Sequence, residues 1–192
     1  MPIYHFKITE DPLAERLREE LLLETVGQFC PRLKDLPLSI CRTEKGKPYL
    51  VDGTTGQPLK DLGFSLSHSG GKWACVISHG TCGLDLQELR PVPYEKLAER
   101  YFYPEEARYI KEAGLRGFYQ LWVLREALAK YTGLGFFGMF SERPLLVDVQ
   151  GNPEGRVIWD GKTIVFEELD APKGFMAIWC WEEKAEDKGD SL

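Results

Sequence analysis

The sequence predicts an α+β protein of two similar halves, on three observations. Helical patterning followed by a run of short antiparallel strands occurs twice along the chain. Turn chemistry separates the strand-like runs, Ser69-Gly70-Gly71 and His79-Gly80-Thr81 early on and GNPEG, DG and DAPKG later. Pro91 and Pro93 punctuate the middle and set the expected boundary, with one half at residues 1–90 and the other at 91–192. No short-period repeat accompanies this plan, so the symmetry rests on element order alone.

In the first half, Asp11-Pro12 reads as an N-cap followed by proline at the first helical position. Leu13, Leu17, Leu21 and Val26 then carry a helical stripe to about Gly27, with Arg16 and Arg18 off it. Strand character follows over Ser39–Thr43, then the turn Lys45-Gly46-Lys47-Pro48 and loop chemistry over residues 52–61. Three further strands are expected at Phe64–Ser67, Trp73–Ser78 and Cys82–Leu86. In the second half, helices are expected over Tyr94–Tyr101, Pro104–Ala113 with Gly114 as the stop, and Phe118–Thr132. Strands at Leu145–Val149, Val157–Trp159, Thr163–Glu168 and Phe175–Trp181 complete it, and the charged tail from Glu182 is expected to fray.

Composition narrows the function classes. The 192 residues are 43% hydrophobic and 28% charged, those of an ordinary globular protein. No apolar run approaches ~18 residues and the N-terminus has no secretory pattern, so no membrane partner and a cytoplasmic location are expected. The five cysteines show no C-x-x-C pairing and read as reduced, mostly buried small hydrophobes. A net charge of -6 argues against a nucleic-acid partner, so any phosphate must meet a local cluster of Lys, Arg and His.

Candidate chemistry sits in four stretches. In LWVLREALAKYTGLG, Leu121, Leu124, Leu128 and Tyr131 form an apolar stripe. Trp122, Glu126 and Lys130 line an adjacent face at i, i+4, i+8 with Arg125 beside them, and Gly133 suits a left-handed cap. Alone, Glu126 and Lys130 read equally as an exposed helix-stabilising pair. In GLDLQ, Asp85 and Gln87 share one strand face opposite Leu84 and Leu86, although Asp85 also suits a turn cap. FSLSHSGG hands over from Phe64 and Leu66 to hydroxyls, His68 and glycines. That pattern suits a loop approaching a phosphate, or a plain turn with a surface histidine. Gly46-Lys47-Pro48 is weak by itself.

Taken in order, GKP (46–48), FSLSHS (64–69), GLDLQ (83–87), FYPEE (102–106) and WVLREALAKYTGLG (122–135) resemble the 4′-phosphopantetheinyl transferases of the Sfp type. The resemblance implies a pseudo-dimer whose active site lies between the halves. Its implied reaction is Mg²⁺-dependent transfer of the phosphopantetheine arm of coenzyme A to a serine of an acyl or peptidyl carrier protein, releasing 3′,5′-ADP. It further implies that Asp85 and Glu126 hold Mg²⁺ and that Lys130 pairs with the pyrophosphate. His68 would contact a phosphate, Lys47, Pro48 and Ser67 would border the adenine end, and Glu126 or a water it polarises would be the base. The N-terminal half would thus supply the coenzyme A contacts and the C-terminal half the metal-site helix. Arg125 stands where the family's usual residue is lysine, keeping the charge near the cofactor. Gln87 stands where many members carry an acid, which leaves the third metal position neutral and water-mediated.

The family's upstream basic residues have no clear counterpart; Arg16 is the candidate 3′-phosphate contact, with Arg42 behind it. A basic rim of Arg108, Lys111 and Arg116 is expected to receive the acidic recognition helix of a carrier protein, and a monomer would suffice. Two other classes compete. One is a non-catalytic module binding coenzyme A or a carrier protein, for which Gln87 is the supporting feature. The other is a different Mg²⁺-dependent phosphotransferase, against which the absence of a P-loop or kinase-type glycine loop counts.

Overall fold

The computed structural model describes residues 4–135, 138 and 155–183. Within them the protein is α+β. The first part runs β1 (Tyr4–Glu10), α1 (Glu15–Phe29), β2 (Leu38–Arg42), β3 (Pro48–Asp52), β4 (Gly63–Ser69), β5 (Lys72–Ser78) and β6 (Cys82–Glu88). It continues through α2 (Tyr94–Tyr101), α3 (Pro104–Thr132), β7 (Arg156–Trp159), β8 (Lys162–Leu169) and β9 (Phe175–Glu182). The expected strand at Leu145–Val149 lies outside the described residues.

The strands form three antiparallel sheets, ordered β1-β5-β4, β2-β3 and β6-β9-β8-β7. Strand β6, although it precedes Pro91, belongs to the sheet built otherwise from the last three strands. That sheet therefore draws on both sides of the expected boundary. β5 is apolar on both faces because both are covered. Trp73, Cys75 and Ile77 pack with Leu22 and Val26 of α1, while Ala74 and Val76 pack with Leu84, Leu86 and Trp179 of the neighbouring sheet. On the far side of that sheet, Met176, Ile178 and Cys180 meet Leu121, Leu124 and Leu128 of α3.

Three expectations need correction. Asp11 does not cap α1; the helix starts at Glu15, while the Asp11 carboxylate accepts from the Leu13 amide at 2.9 Å and pairs with Arg18. Leu13 has φ 64°, a conformation an L side chain rarely adopts, and this turns the chain before the helix. The buried stripe of α1 is Leu22, Thr25 and Val26, whereas Leu13 and Leu17 are 75% and 47% exposed. Strands β1 and β3 were not foreseen. Each is a half-buried run whose turn or N-terminal context masks its alternation.

The break at Gly114 is real and sharp. Its φ 68° and ψ −153° are not helical, and the two arms of α3 double back there. On a straight helix Glu106 and Arg125 would stand roughly 28 Å apart, yet an Arg125 Nη2–Glu106 Oε2 hydrogen bond joins them at 2.5 Å. Tyr109 Oη likewise donates to Gln120 Oε1 at 2.8 Å. FYPEE explains the start of the first arm. Pro104 opens the helix, and Glu106 reaches back to accept from the Tyr103 amide at 3.1 Å.

Candidate functional site

The site begins with a glycine. On β6, Gly83 and Asp85 share the face turned to α3, and a Cβ on Gly83 would come within 2.0 Å of the Ala127 carbonyl oxygen. Only a bare backbone lets α3 settle so close, and the next residue on that face is delivered under the helix. The Lys130 ammonium accordingly donates to Asp85 Oδ1 at 2.8 Å.

β4 holds the carboxylate from the other side. β4 and β6 are edge strands of different sheets and share no backbone ladder; alternate serines replace it. Ser65 Oγ accepts from the Leu84 amide at 2.9 Å, and Ser69 Oγ accepts from the Glu88 amide at 3.0 Å. Between them, Ser67 Oγ donates to Asp85 Oδ1 at 2.8 Å. Asp85 is 5% exposed, and its Oδ2 is buried with no hydrogen-bond partner among the described residues. A buried carboxylate oxygen left unpaired is costly and marks a place where a ligand completes the coordination.

Glu126 lies one turn before Lys130 on α3, half-buried. Burial raises its carboxyl pKa to about 7, Asp85's charge pushes the same way, and Lys130 partly offsets both. Two acids with one ammonium between them form a donor set suited to a hard divalent cation such as Mg²⁺. Asp85 Oδ2 and the Glu126 carboxylate are the oxygens that would hold it. No group of three or more His, Cys, Asp or Glu side chains is gathered for a metal among the described residues. Gln87 is half-buried on the Asp85 face of β6 and makes no side-chain hydrogen bond among the described residues.

A cleft of about 590 Å³ opens from Glu126 and Lys130. Its walls come from α1, β2, β3, β4 and the end of α3, and they carry Arg18, Arg42, Lys45, Lys47 and His68. Lys47 lies on the wall with its ammonium donating to the Tyr131 carbonyl at 2.6 Å, a cation on a helix C-terminus, and burial lowers its pKa. Gly133 ends α3 in the left-handed conformation, φ 72°. His68 and Pro48 line the cleft as well, His68 exposed.

Two expected residues are elsewhere. Arg16 is 88% exposed, pairs with Glu20 and does not line the cleft; Arg18, two positions on, does, held against Asp11 at 2.7 Å. Arg125 is fully buried against Glu106, over the rings of Phe102 at 5.0 Å and Tyr103 at 5.8 Å, so its charge ties the arms of α3 together and does not reach the cleft. Ser67 lines the cleft, but its hydroxyl is engaged with Asp85. Arg108, Lys111 and Arg116 are exposed, with Arg116 lightly paired to Glu168.

The model of the 4′-phosphopantetheinyl transferase superfamily matches residues 81–169, the stretch that carries Gly83, Asp85, Glu126 and Lys130. Over that stretch the chain is similar to this superfamily. A putative 4′-phosphopantetheinyl transferase of Synechocystis is 40% identical over 104 residues, covering 51% of this chain and 41% of that protein. The 4′-phosphopantetheinyl transferase Sfp of Bacillus subtilis is 31% identical over 96 residues, 48% of this chain and 40% of Sfp. A putative 4′-phosphopantetheinyl transferase of Haemophilus influenzae is 30% identical over 131 residues, 64% and 52% of the two chains. The matches thus span about half the length of these curated relatives. Lys47, Ser67, His68 and Arg18 lie before the stretch that the superfamily model matches, so their places in the cleft rest on this chain's own geometry.

Proposed function

We propose that the protein is a Mg²⁺-dependent transferase. It would move the 4′-phosphopantetheine arm of coenzyme A to a serine hydroxyl of an acyl or peptidyl carrier protein and release 3′,5′-ADP. The observation that carries this reading is that Glu126 and Lys130 line a cleft shared with Arg18, Arg42, Lys45, Lys47 and His68, with Asp85 buried behind them on the Lys130 ammonium. Coenzyme A is a dense anion, and a local set of Lys, Arg and His is what a chain of net charge -6 needs to receive it.

In this reading, Arg18, Arg42, Lys47 and His68 bind and orient the nucleotide portion, while Lys130 meets the pyrophosphate. Mg²⁺ on Asp85 and Glu126 would neutralise the pyrophosphate charge that grows on the leaving oxygen. The carrier serine oxygen forms a bond to the β-phosphorus, and the bond from that phosphorus to the bridging oxygen breaks, with the electron pair leaving on 3′,5′-ADP. Glu126, directly or through a water, takes the serine proton. The exposed cations Arg108, Lys111 and Arg116 lie on and beside the first arm of α3, where an acidic carrier helix could dock. Residues before 90 and residues after 120 both wall the cleft, so one chain suffices to build it.

Incubation with coenzyme A, Mg²⁺ and an apo carrier protein tests the proposal. Intact mass should show one added phosphopantetheine arm on the carrier. Binding of coenzyme A without any mass gain across a panel of acyl and peptidyl carriers would leave a binding module in its place.

A further inference from the structure

We propose that Ser67 is a positioning residue that decides which oxygen of Asp85 faces the metal. This rests on the reading of Asp85 as a metal ligand. The two oxygens of an ionised carboxylate are chemically equivalent, and rotation about the last side-chain bond exchanges them. In this site they are not equivalent. Oδ1 accepts from Ser67 Oγ and from Lys130 Nζ, each at 2.8 Å, while Oδ2 is buried and has no partner among the described residues.

The two donors differ in how firmly they are held. Lys130 is a long, partly exposed side chain on α3, 31% accessible, and it lines the cleft where an anionic pyrophosphate would draw it away. Ser67 is 6% exposed on β4 and has one short rotor. Its strand is stitched to β6 on either side by Ser65 on the Leu84 amide and by Ser69 on the Glu88 amide. Ser67 therefore cannot slide along β6 without breaking both neighbours. Its single proton has a second acceptor, the Leu86 carbonyl, only at 3.5 Å, so the bond to Asp85 is preferred. When Lys130 turns to the substrate, Ser67 alone keeps Oδ1 engaged and leaves Oδ2 as the oxygen open to the metal.

Titration of Mg²⁺ into the protein with saturating coenzyme A and no carrier protein reads this without turnover. Ser67→Ala is expected to weaken Mg²⁺ affinity by about tenfold or more, the usual scale when a group orienting a metal ligand is lost. Ser67→Thr, which keeps the hydroxyl, should restore most of it. Ser65→Ala breaks an equivalent β4–β6 bond on the Leu84 amide. It should lower the melting temperature as Ser67→Ala does while leaving Mg²⁺ affinity near wild type. Unchanged affinity in Ser67→Ala, or an equal loss in Ser65→Ala, overturns the assignment. Wild-type Mg²⁺ affinity in Asp85→Ala would instead strike down the reading of Asp85 as a ligand.

Discussion

Helix α3 carries two ion pairs between residues far apart in sequence, little more than a turn from one another at Arg125 and Lys130, and they have been put to opposite uses. Arg125 and Glu106 are both wholly inaccessible, and the Glu106 oxygen that meets Arg125 also accepts from the Tyr103 amide, while two aromatic rings flank the guanidinium. Lys130 and Asp85 are 31% and 7% accessible, and one carboxylate oxygen has no partner among the described residues. The first pair is dry and structural, set between the two arms of α3 and away from the cleft. The second is left incomplete at the end of a cleft, beside a carboxyl of pKa about 7. Burial alone does not separate them, since Asp85 is nearly as buried as Glu106; what separates them is place, because Lys130 lines the cleft whereas Arg125 and Glu106 do not.

Substitutions can sharpen that contrast. The largest effect is expected at the open pair: Asp85→Ala should abolish transfer, and Glu126→Gln should lower kcat by roughly 10³-fold or more while coenzyme A binding stays measurable. Near wild-type turnover of Glu126→Gln at saturating substrate would remove Glu126 from the chemistry. Next comes the closed pair, where Glu106→Ala strands a buried guanidinium and should cost about 3–5 kcal/mol in denaturant unfolding. A loss under 1 kcal/mol would mean the arms of α3 are held by packing alone.

Gly83→Ala should follow at about 1–3 kcal/mol, because the added methyl meets the Ala127 carbonyl, which is backbone and has little room to yield. It should also reduce activity, since Asp85 rides on the same strand face. Lys130→Met is the mildest for folding: a partly exposed pair is worth about 1 kcal/mol or less, so its melting temperature should barely move while transfer is lost. If stability falls as far as in Glu106→Ala, the two pairs are not different in kind.

The pH dependence of the metal-free chain gives a further contrast. Burial, and then the charge of Asp85, push the Glu126 carboxyl from its ordinary 4.5 up to about 7 in the folded state, so between these values the folded state holds a proton that the unfolded state has released. Its contribution to stability is present below pH 4.5 and is lost as pH rises to about 7. Unfolding free energies measured across that window should therefore decline less steeply in Glu126→Gln than in wild type. Identical slopes would show that Glu126 is better solvated than its burial indicates.

Much of this was legible in sequence because the signals were local. The bounds of α2, the break at Gly114, the cap at Gly133 and the shared face of Asp85 and Gln87 follow from glycine, proline and two-residue alternation. Arg125 was misplaced because a helical wheel knows nothing of the other arm folding over it; beside Trp122 and Glu126 on the wheel, it is covered by the segment that starts at FYPEE. Arg16 and Arg18 lie about 200° apart around α1. Choosing between them required knowing which face is buried, and that face is Leu22, Thr25 and Val26, away from the stripe suggested by Leu13 and Leu17. The partner of Ser67 was out of reach for another reason. It belongs to a strand of a different sheet, and no local pattern announces a side chain bridging two sheet edges.

The pairing of β6 with β9 bears on the order in which the molecule can be assembled. Apart from the serine stitches from β4, the strand that carries Asp85 finds its backbone partner only in the last described strand, about 90 residues further along the chain. Closing a loop of that length comes late, so Asp85 gains its backbone partner only after residues 175–182 have left the ribosome. A nascent chain stalled before Phe175 would carry Glu126 and Lys130 on an already formed helix, with the third member of the trio still waiting for its sheet.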